Sequence, residues 1–324
     1  MEKTLSVSVA AYNVEKYIRE TLDCFLVPDI MDDLEILMVN DGSKDSTPEI
    51  CDEYVRKYPE TFVLVNKENG GWGSTVNKGI EVATGKYFKQ LDGDDYFDRG
   101  MLTDFVRILK EHDEDLIYTN YRSFDDETGK LIENVEVPNK SLVNKHFDLD
   151  ELGLDRMNFT LAMHACTFRT AMLQEFPIDI TEHCFYTDIE YLLKALLRVK
   201  TVFFYPISVY CYRLGREGQS ASVTGFRKHY KEHLAVTLKL LNIYGSLSVN
   251  DNLKDLIFRR IKEMVDYQYY VFLNLEPTAE HAAELREYNN TLKLQYPAFY
   301  KTDKKRVKAF RLLGNRCYSR IVYK

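Results

Sequence analysis

Apolar residues in the first 125 positions fall into short runs separated by stretches of helical spacing. Leu5–Ala11 (LSVSVAA) and Leu34–Asn40 (LEILMVN) are compact and rich in Val, Leu or Ile, as buried strands are. Phe62–Asn66, 87–91 and 116–121 continue the series. Between them, apolar residues at 14, 17/18, 22 and 25 keep a helical period, and helices are expected over 74–83 and 98–111. Ser46-x-x-Glu49 with Pro48 has the form of a capping box, so another helix should begin there. Strands alternating with helices over short connections predict an α/β fold, a mostly parallel sheet flanked by helices.

From 122 to 215 the pattern breaks into shorter runs near 131–137, 161–168 and 201–213, with a helix over 188–197. From 226 the period is helical, over 226–244, 250–273 and 278–294, and 303–320 reads as a basic amphipathic helix. The expected division is residues 1–215, with halves 1–125 and 126–215, then a helical C-terminal region 216–324. The sharpest boundary is the Gly-containing stretch 214–225.

In parallel α/β sheets ligands bind outside the carboxyl ends of the strands. Asn13, Asp41, Asn69 and Asp92 each follow an expected strand end, so they should gather on one rim. AAYNVEKY after the first strand contains no glycine, which excludes a dinucleotide fingerprint there. A Walker A loop is absent, as is the Gly-rich basic loop a sugar nucleotidyltransferase needs. The rim carries acids instead, in Asp92-Gly93-Asp94-Asp95. Hard cations such as Mg²⁺ or Mn²⁺ take oxygen ligands and share them with phosphates. By itself the cluster also suits a turn that caps the helix at 98, and N-D-G-S at 40–43 suits a β-turn.

The balance of the composition changes the picture little: 45% apolar and 29% charged is ordinary for a globular chain, and no apolar run is long enough to span a membrane. Six scattered cysteines without a C-x-x-C pair argue against a zinc site or disulfide framework and for a reducing cytoplasm. Net charge is −7, but residues 301–324 carry nine Lys/Arg and one acid. A basic tail on an acidic body suggests an anionic partner, such as the inner face of a membrane. Nucleic acid is not expected as a partner of so acidic a chain.

The motifs in order are V-x-V-A-A-Y-N, N-D-G-S-K-D-S-T, N-G-G-x-G-S-T-V-N-K-G-I-E-x-A-T-G-K-Y and L-D-G-D-D. This set resembles the family 2 glycosyltransferases of the GT-A fold, strongly over 4–125 and more loosely over 155–220. The resemblance implies an inverting, metal-dependent transfer of a sugar from a nucleotide-diphosphate donor, with UDP favoured, to a hydroxyl of a glycan or lipid-linked acceptor. It assigns the nucleotide to Ala11, Tyr12, Asn13, Asp41, Asn69 and Gly70. Asp92 and Asp94 match the motif that binds ribose and the metal–diphosphate, with Mn²⁺ or Mg²⁺ on Asp94. Asp188 matches the catalytic base, though Thr187 replaces the usual Glu beside it. Arg213 or Arg216 would meet phosphate. Trp72 would stack on a sugar or base, and His164 and His183 would face the acceptor. Ala10 and Val76 depart from the family's usual Pro and Arg. A non-catalytic sugar-nucleotide-binding scaffold and a sugar nucleotidyltransferase remain the alternatives.

Overall fold

The computed structural model describes residues 2–137, 140–152, 162–175, 178–216, 219, 223–249 and 251–313. Ten strands form one sheet: β1 (Leu5–Ala11), β2 (Leu34–Asn40), β3 (Phe62–Asn66), β4 (Tyr87–Asp92), β5 (Tyr96–Phe97), β6 (Leu116–Asp125), β7 (Leu131–Val135), β8 (Lys145–Asp148), β9 (Cys166–Arg169) and β10 (Thr201–Leu214). Their order is β3-β2-β1-β4-β9-β6-β10-β5, with β7 beside β6 and β8 beside β10. Every residue of β2 is buried, and all but one of β1, as expected for central parallel strands covered on both faces.

The first unit, residues 1–217, also carries α1 (Ile18–Asp23), α2 (Thr47–Lys57), α3 (Trp72–Val82), α4 (Arg99–Glu111), α5 (Thr170–Glu175) and α6 (Asp188–Leu196). The parallel expectation holds for β3-β2-β1-β4 and for β6 with β10. It fails at β9, which enters antiparallel between β4 and β6. An apolar run carries no direction, so its sequence could not show this. β10 is one long strand with a register break around Pro206, whose ring removes a ladder donor.

Two local expectations are corrected. The helix over 14–25 shrinks to α1, because Asn13 takes a positive φ of 52° and the chain turns before helix can start. The capping box before α2 does not form: the Ser46 side chain makes no cap. Asp45 accepts the Thr47 N–H at 3.0 Å instead, and Glu15 accepts the Ser46 N–H at 2.9 Å.

The second unit, residues 218–324, is helical, with α7 (Val223–Lys228), α8 (Tyr230–Gly245), α9 (Asp251–Phe272), α10 (Ala279–Gln295), α11 (Pro297–Tyr300) and α12 (Lys305–Leu313). Its core includes Leu240, Leu241, Ile257, Ile261, Val265, Phe272, Leu285 and Leu292. Among the described residues of the tail, apolar side chains are partly committed to this unit. Val307 and Phe310 of α12 are buried. Arg306 donates to the Leu273 carbonyl, and Arg311 to Asn289 and the Tyr269 hydroxyl. The rest of the expected tail helix, 314–320, lies outside the described residues. No helix among the described residues is long and apolar enough to cross a membrane.

Candidate active site

The carboxyl ends of β1, β2 and β4 bring their following loops to one rim. The Ala11 carbonyl accepts the Asp41 N–H at 2.9 Å, and the Ala10 carbonyl accepts the Gly93 N–H at 3.0 Å. Ala11 is buried and acts through its backbone, whereas Tyr12 is 48% exposed. Asn13 staples the next loop: its Oδ1 accepts the Lys44 N–H at 2.8 Å. An open cleft of about 480 Å³ lies here, lined by Tyr12, Gly42, Lys44, Asn66, Lys67, Glu68 and Asn69.

Asp41 lies beneath the 67–74 loop, 2% exposed. Its carboxylate takes Lys67 Nζ at 2.8 Å, Gly70 N–H at 2.9 Å and Gly71 N–H at 2.8 Å. Asn69 Nδ2 and Ser74 Oγ complete the set at 3.1 and 3.2 Å. Lys67, Gly70, Gly71 and Asn69 by themselves account for the roughly four acceptor sites of one carboxylate. Asp41 therefore shapes the loop, and a base contact from it requires one of these donors to move. Lys67 escaped the sequence reading, although a lone lysine two residues before N-G-G was its visible signal.

The acid turn divides its labour. Asp95 is 1% exposed and structural: it accepts the Tyr210 hydroxyl at 2.6 Å and the Arg213 N–H at 2.7 Å. Burial, then Asp94 and Asp92, raise its pKa well above the carboxylate range. Asp92 is half-buried and accepts the Trp72 indole N–H at 2.7 Å. Its pKa is pushed up to about 7 by burial first, then by the charges of Asp94 and Asp188, while the indole N–H opposes the shift. Asp94, 7% exposed, pairs with the Arg216 guanidinium.

The Arg213 expectation is corrected. Its guanidinium is 8% exposed and committed to protein. It donates to the Asp94 carbonyl at 2.7 Å, Asp126 at 2.7 Å and Glu20 at 2.6 Å. The aromatic rings of Tyr17 and Phe124 lie 5.0 Å from it. Arg213 clasps the acid turn to β10, and Arg216 is the arginine whose guanidinium reaches the acids.

The 178–187 loop closes the other side. Asn77 on α3 grips Ile180 by both backbone groups, at 2.8 and 2.9 Å. A Cβ at Gly73 would meet the Thr181 carbonyl at 2.2 Å, so only glycine lets the loop approach. The exposed His183 donates its backbone N–H to the Gly70 carbonyl, which fixes this loop on the N-G-G turn. Asp188 is then the first residue of α6, with its charge felt at Asp92 and at Tyr212. His164 stacks on Tyr121 (ring centroids 4.9 Å apart), meets Tyr212 at a tilt of 34° (4.3 Å), and meets Tyr210 edge-on at 4.8 Å. Its carbonyl accepts the buried Lys89 ammonium at 2.9 Å.

Among the described residues no group of three or more His, Cys, Asp or Glu side chains encloses a metal position. Two carboxylates on one turn fit a Mg²⁺- or Mn²⁺-like cation that draws its other oxygens from a diphosphate. The charges of Asp94 and Asp188 add to burial in raising the Asp92 pKa, and Arg216 pairs with Asp94, so the turn gathers negative charge of the kind such an ion balances.

An open cleft and an acid turn at the carboxyl ends of the sheet's parallel strands are the features this fold brings to one rim. The sequence profile of glycosyl transferase family 2 matches residues 6–175, and the chain belongs to that family. The poly(ribitol-phosphate) beta-glucosyltransferase of Bacillus spizizenii is 28% identical over 317 residues, 96% of this chain. The match spans 44% of that relative's length, less than half. The S. aureus TarS fragment 1–349, solved with UDP-GlcNAc, has a TM-score of 0.65 at 21% identity, over 99% of this chain and 88% of that one. The mannosyltransferase PcManGT of Pyrobaculum calidifontis, solved with GDP-Man and Mn²⁺, has a TM-score of 0.53 at 15% identity, over 99% and 86%. At these identities both structures speak to the shared fold.

Proposed function

We propose that the chain transfers a sugar from a UDP-sugar to a hydroxyl of a cell-surface glycan acceptor, with inversion at the anomeric carbon. The observation that carries this reading is the acid turn of Asp92 and Asp94, which feels the charge of Asp188, at the same strand-end rim of the sheet as the Tyr12–Asn69 cleft. The UDP-GlcNAc bound to TarS and the glucosyl transfer named for the B. spizizenii relative support it. Tyr12 and Asn69 line the space for the base and ribose, with Asp41 setting the loop from beneath. Asp94 and Asp92 would hold Mn²⁺ or Mg²⁺, which when bound neutralises the leaving diphosphate. Arg216 adds a guanidinium to the same place. Asp188 removes the proton of the acceptor hydroxyl as its oxygen attacks the anomeric carbon opposite the departing UDP.

UDP release from a panel of UDP-sugars tests the reading. Asp188→Ala should lower kcat about 10²–10⁴-fold and leave UDP affinity near wild type. Asp94→Ala should lower both, and EDTA should abolish the wild-type rate. A nucleotidyltransferase would release pyrophosphate instead, and a scaffold would bind UDP without turnover. Unchanged rates in both variants would overturn the site assignment.

A further inference from the structure

Trp72, the chain's single tryptophan, is the first residue of α3. It is half-buried at the rim. Its indole N–H points at the acid turn and donates to Asp92 Oδ1 at 2.7 Å. Its ring meets Tyr191 edge-on, with centroids 6.2 Å apart and planes at 67°. Tyr191 lies on α6 three residues after Asp188, a spacing that puts both on one helix face. Tyr191 in turn abuts Phe168 of β9 at 5.7 Å, and Phe168 is paired with Phe88 of β4, the strand that ends at Asp92. One ring thus touches the Asp92 carboxylate on one side and the helix of Asp188 on the other.

The backbone around Trp72 is built to hold it there. Gly71 takes a positive φ of 81° as the residue before α3. Gly73 admits the Thr181 carbonyl where a Cβ would stand. An indole N–H is only a donor, so it can hold Asp92 in one orientation and only as an acceptor. With Oδ1 taken by Trp72, Oδ2 is the Asp92 oxygen left for a ligand at the turn.

We propose that Trp72 is a positioning residue: its N–H fixes the Asp92 carboxylate, and its ring sets the distance from that carboxylate to the helix bearing Asp188. This rests on the transferase reading given above. It differs from sugar or base stacking, because the part of Trp72 that matters is the indole N–H.

Trp72→Phe keeps an aromatic ring and removes the N–H. In UDP release, kcat should fall about 10–100-fold, the size typical of losing a partner that orients a ligand-holding side chain. KM for the donor and the melting temperature should stay close to wild type. A second measurement needs no turnover. Trp72 is the only indole, so its fluorescence reports this one contact: Asp92→Ala should shift the emission with no ligand present, and UDP with Mn²⁺ should change wild-type emission saturably. Trp72→Phe with wild-type kcat, or with kcat and melting temperature falling together, would overturn the positioning role. Emission unchanged in Asp92→Ala would overturn the contact itself. A wild type that neither binds UDP nor releases it would instead overturn the transferase reading, and is told apart by the emission of Asp92→Ala.

Discussion

Arg213 and Arg216 stand three residues apart and serve different ends. Arg213 has its charge spent inside the protein, on Asp126, Glu20 and the Asp94 carbonyl. Arg213 is 8% exposed but Glu20 is 56% exposed, so removing Arg213 should destabilise by less than the about 3–5 kcal/mol of a fully buried ion network. Arg213→Met should therefore lower the denaturant midpoint, whereas Arg216→Ala should leave it within error and weaken UDP binding by calorimetry. The opposite pattern would return Arg213 to the ligand. Lys89 offers a pH test at the same scale. It is fully buried, with its ammonium on the carbonyls of His164 and Cys166 at 2.9 and 3.1 Å. Burial depresses its pKa to about 7, against about 10.4 for a free lysine. Between those values the unfolded chain holds a proton that the native chain lacks, so stability rises with pH across that window. Urea unfolding at pH 7 and pH 9 should show wild type gaining on Lys89→Met, by at most about 1.4 kcal/mol per pH unit. Equal slopes in the two proteins would refute the depressed pKa.

Strands read well from the sequence because a strand buried on both faces leaves a continuous apolar run, as β1 and β2 do. What the runs could not convey was pairing direction, hence the surprise of β9, or a strand as short as β5. Site residues that follow strand ends were also legible, since position along the chain sets position on the rim. Lys67, Tyr210 and Asn77 were not, because each acts through a partner distant in sequence. The α3 start shows this best. N-G-G-W-G-S-T-V-N reads as a loop and a helix, but Gly73 makes sense only beside the Thr181 carbonyl, 2.2 Å from where a Cβ would be. Gly73→Ala should push the 178–187 loop off α3 and carry α6 with it. The cost should be about 1–3 kcal/mol, typical of overpacking. A fall in kcat should accompany it. Activity at wild-type level with the stability loss would show that α6 keeps its place without this contact.

Charge is the property of the whole chain that sequence reading weighted differently from the structure. A net −7 conceals a +8 tail over 301–324. Read by periodicity, that tail was an amphipathic membrane helix. Folded, its apolar residues Val307 and Phe310 are already buried in the second unit, 3% exposed each. Insertion into a bilayer needs an apolar face that is free, and among the described residues of the tail Leu312 is the exposed large apolar one, at 85%. What remains outside is charge: Lys301, Lys304, Lys305 and Lys308 are exposed. Attraction between these lysines and an anionic surface is screened within about 8 Å at physiological ionic strength. Co-sedimentation with phosphatidylserine-containing vesicles should thus decline steeply between low salt and about 0.5 M salt, where the screening length is shorter still. Vesicles of neutral lipid should retain none of the protein. Retention that persists at high salt would mean that apolar residues enter lipid, and if Phe310 is among them it leaves its core to do so. In that case Phe310→Asp should reduce it.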